Sequence, residues 1–259
     1  MSELIYLMRE ICAGIEIYYS GRTDEQYHKT AFVLCDDYTE LTSKLFLLTD
    51  NPKWSDSRSE KEIKKFEKAQ KAVEDAINAG TIPNPKDVEQ FKKGVGKGTF
   101  KNYGEVLDDV RKVFDNKRKA DLPKLDTLQN AMRTRRKRRN EFFHSTSLLD
   151  LNVGKHVCVA AFCDLLDYGE LLFPKVWTQT VEATRNLETL EILLRLERKG
   201  ENDLSMPLKI SKILSNWPRN LSSKALKGVH LAEHPGDMHL MLSVIYGGPE
   251  FKNKLRELL

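Results

Sequence analysis

The sequence predicts an all-α protein, because three features of the 259-residue chain agree. Apolar residues recur at helical spacing through most of the chain, which is the pattern of amphipathic helices with one buried face. No run alternates apolar and polar residues over the roughly four to eight positions of a half-buried strand. Proline, glycine and asparagine cluster between the periodic segments, where they end helices and form turns. We therefore expect a helical bundle with an elaborated middle region and a helical C-terminal extension.

The N-terminal part of the chain predicts two long amphipathic helices. The first covers residues 3–19, and the second runs from residue 24 to about residue 49, where Asn51 and Pro52 end it. The predicted buried stripe of the first helix consists of Leu4, Ile5, Leu7, Met8, Ile11, Ile15 and Tyr18. The predicted buried stripe of the second helix consists of Tyr27, Ala31, Leu34, Tyr38, Leu41, Leu45 and Leu48.

The middle of the chain predicts shorter and more polar elements. Residues 59–79 form a charged helix that we expect to face solvent as an arm. Two short helices follow at residues 86–93 and 104–115, and a loop rich in glycine and lysine separates them. The sparse apolar stripe of the charged helix consists of Ile63, Phe66, Ala69, Val73 and Ile77.

The C-terminal half predicts a basic helix followed by apolar ones. The basic helix begins near Lys124 and ends at or near His144, and the next helix, at about 151–172, is apolar enough to form the centre of the core. An amphipathic helix is expected at residues 176–198. Three short helices are expected within residues 204–259.

Composition excludes several classes of protein. Apolar residues make up 40% and charged residues 31%, a balance typical of a folded globular protein rather than a disordered one. No apolar run approaches the roughly 20 residues that span a bilayer, and the N-terminal segment contains acids and lacks a signal-peptide cleavage site. Four cysteines lie singly in apolar helical patterns. We therefore expect buried, reduced thiols in a cytoplasmic protein and no disulfide or zinc framework.

Basic residues concentrate near the end of the basic helix. The formal net charge of +4 is too small to identify a nucleic-acid-binding protein by itself. Between Arg133 and Arg139, however, the chain has six basic residues and no acidic one. A local field of that kind attracts polyphosphate whatever the global balance.

The last turns of this helix contain Arg139, Asn140 and His144. Arginine offers a fixed fork of donors for phosphate, and histidine is the side chain best suited to move protons near neutral pH. Asn140 adds a polar amide that can orient the histidine or the phosphate. An enzyme that cleaves RNA without a metal needs these groups, so we predict that the three residues are catalytic and that no cofactor is required.

The motif and the helical order around it resemble the HEPN superfamily. That family's motif is an arginine, four to six intervening residues and a histidine, with a polar residue directly after the arginine. Arg139, Asn140 and His144 fit the version with four intervening residues. Arg138 also satisfies the spacing, with five, and we prefer Arg139 because Asn140 then occupies the polar position.

The resemblance covers about residues 1–175. It implies a HEPN-like helical bundle there, with an insertion-like elaboration at about 51–104, and it leaves residues 176–259 as a helical extension or a small second subdomain. HEPN proteins are frequently metal-independent endoribonucleases of antiviral defence, abortive-infection or toxin–antitoxin systems. They typically form homodimers with a composite active site, and a protein partner or antitoxin is a further expected ligand. Some members have lost catalysis and only bind RNA or partners.

Helical geometry adds a condition to this expectation. On a straight helix Arg139 and His144 lie about 140° apart, whereas Asn140 and His144 share a face. Either the helix ends near the motif, or two copies of the motif face each other across a two-fold axis. In the expected reaction the RNA 2′-hydroxyl attacks the adjacent phosphate, His144 moves a proton and Arg139 neutralises charge on the phosphoryl oxygens.

Further residues are candidates for support or for binding RNA. Asp36, Asp37 and Glu40 of the second helix either pair with the motif arginine or form an ordinary helix surface. The residues expected to guide the RNA backbone, rather than to form a solvated basic face, are Arg133, Arg135, Arg136, Lys137, Arg138 and Lys97.

Two other patterns predict no site. The glycine-rich loop around Lys97 lacks the GxxxxGK[ST] spacing, and no strand precedes it, so it is not a phosphate-binding P-loop. The histidines at positions 230, 234 and 239 have a superficial metal-binding appearance, but Pro235 and Gly236 break the helix that would align them.

Two other functions compete with the endoribonuclease. The first is a catalytically inactive HEPN domain that binds RNA or serves as an assembly subunit. The second is a helical adaptor whose basic helix docks an acidic protein. Binding of RNA without cleavage favours the first, and failure to bind any RNA favours the second.

Overall fold

The computed structural model describes residues 2–20, 25–94, 100–144, 153–184, 187–200, 253, 256, 257 and 259. Over these residues the protein is all-α, which confirms the predicted fold class at this level. The only β-type pairing among them is one isolated antiparallel bridge between Ser57 and Phe100. Besides a short 3-10 helix (Lys119–Asp121), the described residues form the α-helices α1 (Ser2–Ser20), α2 (Glu25–Asp50), α3 (Glu60–Asn78), α4 (Pro85–Gly94), α5 (Tyr103–Lys117), α6 (Leu122–His144), α7 (Lys155–Leu172), α8 (Trp177–Ala183) and α9 (Leu187–Gly200).

The chain forms two compact units. Met1–Thr42 and Thr127–Leu259 together form the first unit, and Ser43–Asp126 form the second. Both boundaries fall inside long helices, α2 and α6. The predicted insertion at about 51–104 falls within the second unit, whereas the predicted boundary near residue 175 stays a prediction.

Most of the predicted helices agree with the structure. The observed bounds of α1 to α6 lie within two residues of the predicted ones. α7 begins later than expected, at Lys155, where Gly154 is its N-cap residue. The three short helices predicted within residues 204–259 lie outside the described part of the chain.

The prediction of one helix at residues 176–198 is wrong, because the chain forms α8 and α9 there. Thr184 has an extended backbone (φ −90°, ψ 111°), which ends α8 after Ala183. The hydroxyls of Thr180 and Thr184 donate to the carbonyl oxygens of Val176 and Thr180, at 2.6 and 2.8 Å. Threonine side chains that bond to the preceding turn weaken a helix, so this threonine-rich segment is a natural place for a break.

The core of the first unit is built around α7, as predicted. Residues on nearly every side of this helix are buried, which is the pattern of a helix surrounded by packed neighbours. α8 and α9 pack against α7, and α1 packs against α8 and α9. Trp177 lies directly on Gly169, where a Cβ atom would come within 1.9 Å of the indole ring. This close approach requires glycine at position 169.

α1 buries the predicted stripe, with Ile5 half-buried, whereas the predicted stripe of α2 is only partly correct: Ala31 and Tyr38 are buried, and Leu34 and Leu45 are half-buried. In α2 the residues Tyr27, Leu41 and Leu48 are exposed. The polar side chains on its buried face are His28, Asp36, Thr39, Thr42 and Ser43. Polar groups can be buried there because they have partners: the hydroxyls of Thr39 and Thr42, for example, donate to carbonyl oxygens one turn earlier, at 2.9 and 2.6 Å. Hydrophobic periodicity does not detect a face of this kind.

The second unit has a mainly apolar core built on α5. Val106, Leu107, Val110 and Phe114 are completely buried. Phe46 packs against Phe114, with the ring centroids 5.8 Å apart. The positions on α5 follow the three- and four-residue spacing of a single helix face, so ordinary amphipathic packing explains this core.

Two capping boxes fix where helices of the second unit begin. Ser59 and Glu62 exchange reciprocal hydrogen bonds between side chain and backbone at the start of α3. Asn102 and Glu105 do the same at the start of α5. Each pair provides partners for backbone N–H groups that the first turn of a helix leaves without any.

The charged helix α3 packs against α4 through part of its predicted stripe. Ala69 and Val73 are buried, Ile63 and Phe66 are half-buried, and Ile77 is exposed. The helix therefore buries a narrow apolar stripe and presents most of its charged surface to solvent.

Candidate active site

The motif helix α6 carries its arginines on the face that is apolar nearer its start. Leu128 and Met132 are buried, and a spacing of three or four residues continues the same face through Arg135, Arg136 and Arg139. Each of these three arginine side chains is less than a quarter exposed. Because charged groups that leave water need partners, this face requires carboxylates on the helices packed against it.

Arg139 is held by two carboxylates of α2. Its Nη2 atom donates a hydrogen bond to Oδ1 of Asp37 at 3.1 Å, and its Nε atom lies 3.7 Å from Oδ2 of Asp36. The Arg139 side chain is 19% exposed, so most of it is out of contact with water. Of the two alternatives for these acids, the structure shows the pairing with the motif arginine. Their functional role stays a prediction.

Arg136 contacts three acids of the same helix, Asp36, Asp37 and Glu40. It donates a hydrogen bond to Oδ2 of Asp36, and its guanidinium lies 3.5 Å from Asp37 and 3.6 Å from Glu40. Burial raises the pKa of Asp36, while the neighbouring guanidiniums of Arg136 and Arg139 act in the opposite direction. The five side chains form one ionic group, which we call the α2–α6 cluster.

Arg135 faces a different carboxylate, on the core helix α7. Its Nη1 atom lies 2.8 Å from Oδ2 of Asp164, and Nη1 of Arg198 on α9 lies 3.0 Å from the other oxygen. Arg195 binds Asp167 one turn further along α7, at 2.8 Å. The motif helix is therefore joined to both α7 and α9 through the single carboxylate of Asp164.

Three of the remaining polar residues of the motif region face solvent. Lys137, Arg138 and Asn140 are exposed, and Arg133 is half-buried. The side chain of His144 lies outside the described residues, and so does Lys97 with the loop around it. Among the predicted site residues, the structure thus brings Arg139 and Arg136 together with the acids of α2, while Arg135 contacts Asp164 instead.

The backbone of α6 shows whether the helix breaks between Arg139 and His144, a question that the sequence left open. The helix is continuous from Arg139 to His144, the last residue of this segment that the structure describes. The two positions are therefore separated by about 140° around the helix axis and by about 7.5 Å along it. Asn140 and His144 lie on the same side of the helix, one turn apart.

Sequence reasoning missed Asp164 and Arg198. Asp164 had a detectable signal, because an acidic residue in the middle of a strongly apolar helix implies a buried partner. Arg198 had none, since an arginine near the end of an amphipathic helix is usually a surface residue.

Neither the cysteines nor the described acids and histidines form a reactive thiol site or a metal site. All four cysteines are buried and none forms a disulfide, as predicted. Burial raises the pKa of Cys12 and Cys158 to about 12 and that of Cys163 to about 11, so these thiols stay protonated near neutral pH. Within the described residues no group of three or more His, Cys, Asp or Glu side chains could hold a metal ion. The histidines at positions 230, 234 and 239 lie outside those residues.

None of the described helices combines the length and the apolar character that crossing a bilayer requires.

No family model, no curated protein and no solved structure matches this chain. The resemblance to the HEPN superfamily accordingly rests on the motif and on the helical order around it, and it stays a prediction.

Proposed function

We propose that this protein is a metal-independent endoribonuclease of the HEPN type that acts in antiviral defence or as a toxin-like effector. The observation that carries the proposal is the setting of Arg139. Its guanidinium is bound by Asp37 and Asp36 of α2, and its own helix, α6, continues without a break to His144. A guanidinium held in one orientation is suited to stabilise charge that develops on a phosphoryl group.

The proposed reaction needs only groups of the RNA and of the motif. The 2′-hydroxyl oxygen forms a new bond to the adjacent phosphorus while the bond from phosphorus to the 5′-oxygen breaks. His144 moves a proton, as base to the 2′-hydroxyl or as acid to the leaving 5′-oxygen. Arg139 neutralises the phosphoryl oxygens, and Asn140 orients the histidine or the phosphate. The products are a 2′,3′-cyclic phosphate and a 5′-hydroxyl end.

A homodimer with a composite site accompanies this proposal. Because α6 stays helical, Arg139 and His144 of one chain lie about 140° apart on the same helix. A two-fold axis near the motif would let the arginine of one copy and the histidine of the other reach one phosphate. The RNA backbone would then be the anion between the two basic helix ends.

The RNA path follows from which basic side chains face solvent. Lys137 and Arg138 are exposed and adjacent to Arg139, so they are the first candidates for phosphate contacts outside the scissile linkage. Arg135 is bound to Asp164, and we assign it to holding the motif helix in position. Arg136 is bound to the buried Asp36 and lies beside Arg139, where it can also contact the phosphate.

Cleavage of end-labelled single-stranded RNA by the full chain, in buffer containing EDTA, tests the proposal. His144→Ala should lose at least about a hundredfold of the activity, because positioned proton transfer contributes on the order of 10²- to 10⁴-fold. New 5′-hydroxyl ends and 2′,3′-cyclic phosphates, identified by their sensitivity to end-specific kinases and phosphatases, are the expected products.

His156→Ala is the matched control for that experiment. His156 is an exposed histidine of α7 outside the motif, so its removal should leave cleavage unchanged. Both variants should melt at the wild-type temperature. Undiminished cleavage by folded His144→Ala would rule out the catalytic assignment.

A catalytically inactive subunit that binds RNA or a protein partner, such as an antitoxin, is the second candidate. The engagement of Arg135, Arg136 and Arg139 by carboxylates favours it, because a phosphate has to compete for these guanidiniums. Binding of labelled RNA without new 5′-hydroxyl ends would support this candidate. Failure to bind any RNA at low salt would favour an adaptor for an acidic protein instead.

A further inference from the structure

The two consecutive acids of α2 differ in exposure although they bind the same arginines. The side chain of Asp36 is 4% exposed, whereas that of Asp37 is 45% exposed. Asp36 is hydrogen-bonded to Arg136 and lies 3.7 Å from Arg139. One carboxylate is therefore fixed inside the protein, and the other lies at the rim of the same pair of guanidiniums.

A single oxygen atom of Asp37 lies between the two arginines. Its Oδ1 is 3.1 Å from Nη2 of Arg139 and 3.5 Å from Nη1 of Arg136. An anionic oxygen shared by two guanidiniums is also the arrangement that arginine pairs form with a non-bridging phosphate oxygen. The rim position thus suits a phosphate as well as a carboxylate.

The guanidiniums of Arg136 and Arg139 are already bound by carboxylates of α2. A phosphate that binds both guanidiniums therefore has to take the place of one carboxylate. Asp37 is able to withdraw, because its side chain is 45% exposed and can turn into water. Asp36 is not, because its departure would leave charges uncompensated inside the protein.

We propose that Asp37 is a built-in competitor for RNA, whose carboxylate occupies the place on Arg139 and Arg136 that a backbone phosphate takes when it binds. Asp37 turns outward as the phosphate enters, and Asp36 stays in place and keeps both guanidiniums oriented. This inference rests on the proposed function, since it describes how a polynucleotide reaches Arg139. It also makes Asp37 a determinant of affinity and not a catalytic residue.

A 2′-O-methyl oligonucleotide separates this inference from the question of catalysis, because it lacks the 2′-hydroxyl nucleophile and is bound without being cleaved. Its affinity for the full chain is measured by fluorescence anisotropy at low and at physiological salt. Asp37→Asn removes the competing charge and keeps the size of the side chain, so binding should become at least about fivefold tighter at low salt.

Glu141→Gln is the matched control for charge. Glu141 is exposed on α6, close in sequence to Arg139, and its substitution removes the same negative charge without removing a carboxylate that contacts either guanidinium in the cluster. Its effect on affinity should be less than about twofold. In an Arg139→Ala background, Asp37→Asn should no longer tighten binding, because the competition requires that guanidinium.

Four outcomes would overturn the inference. The first is that wild type and folded Asp37→Asn bind the oligonucleotide with equal affinity, and the second is that Glu141→Gln tightens binding as much as Asp37→Asn does. The third is that Asp37→Asn still tightens binding in the Arg139→Ala background. The fourth is that Asp37→Asn tightens binding of a polyglutamate peptide, used as a protein-like polyanion, but not of the oligonucleotide. Cleavage of ordinary RNA by the wild type, measured in parallel, reports on the proposed function separately. Tighter binding by Asp37→Asn with no cleavage by any form would retain the inference and reject the nuclease.

Discussion

The two units of the molecule differ in how far their charged side chains are buried. In the first unit, arginines of α6 are placed on an inward face, and carboxylates of α2 and α7 meet them with less than a quarter of each arginine exposed. In the second unit, α5 presents an apolar face to the core, and ion pairs such as Arg111 with Asp126 lie largely in water. Two exceptions in the second unit are Arg58, which is buried against Glu105, and Lys101, which lies 2.7 Å from Asp109 with both side chains less than a quarter exposed.

This difference indicates that the first unit is not organised for stability alone. Removing charges from water costs several kcal/mol per ion, and apolar side chains of similar size would often stabilise the same position better. The second unit shows that this chain can build an ordinary apolar core. Under the proposed function, the arginines in the interior of the first unit serve to fix guanidinium groups near the end of α6.

The largest expected effect comes from removing the carboxylate that joins three helices of the first unit. Asp164→Ala removes the carboxylate partner of Arg135, which is only 15% exposed, whereas Arg198 is 44% exposed and keeps Asp167 at 4.0 Å. We expect the free energy of unfolding to fall by about 3–5 kcal/mol, because an uncompensated buried charge is strongly destabilising. Urea denaturation followed by far-UV circular dichroism measures this loss.

Asp126→Ala is the corresponding change in the second unit. Asp126 is paired with Arg111, and both side chains are at least 40% exposed. The loss should be about 1 kcal/mol or less, since exposed ion pairs contribute little. Equal losses for Asp164→Ala and Asp126→Ala would contradict the contrast between the units.

A smaller effect is expected from a helix cap of the second unit. Ser59→Ala removes the side chain that accepts from the backbone N–H of Glu62 at the start of α3. The expected loss is about 1 kcal/mol, the usual contribution of an N-cap hydroxyl. Ser57→Ala, two residues earlier and outside the helix, should leave the urea midpoint unchanged. A Ser59→Ala protein as stable as the wild type would show that α3 does not depend on its local cap.

The smallest expected effects are pH dependences of opposite sign. Burial raises the pKa of Asp36 above its ordinary value of 3.8, so its contribution to stability falls as the pH rises through the window above that value. For Asp109, burial also acts to raise the pKa, but hydrogen bonds from Lys101, Lys112 and Trp54 outweigh it and lower the pKa. Its contribution is present above pH 3.8 and is lost as the pH falls through the window below it.

Urea denaturation of Asp36→Asn and Asp109→Asn, compared with the wild type between about pH 3 and pH 6, measures these slopes. Relative to the wild type, Asp36→Asn should gain stability as the pH rises, and Asp109→Asn should lose it. Slopes of the same sign would mean that the two carboxylates occupy equivalent environments.

Local signals predicted the helices well and the contacts between them poorly. The start of α3 was accessible to sequence analysis because Ser59 and Glu62 are three residues apart and act within one turn. The buried face of α2 was not, because Asp36 and Thr39 are buried only through partners on other elements or in the preceding turn. The inward position of Arg136 depends equally on tertiary partners, which periodicity does not contain.

The same limit applies to the candidate site. The motif of Arg139, Asn140 and His144 is a short sequence pattern, and it was found without the structure. The division of the acids into a buried Asp36 and an exposed Asp37 follows from how α2 lies against α6, and it could not be inferred from two adjacent aspartates.

Arg139 lies seven positions after Met132, which anchors α6 in the core. This count fixes the rotational phase of the guanidinium relative to the anchor, since each residue turns the chain by about 100°. Substitutions between the two positions preserve that phase, whereas one inserted or deleted residue would carry Arg139 away from α2. This segment should therefore tolerate substitutions of its residues but not a change in its length.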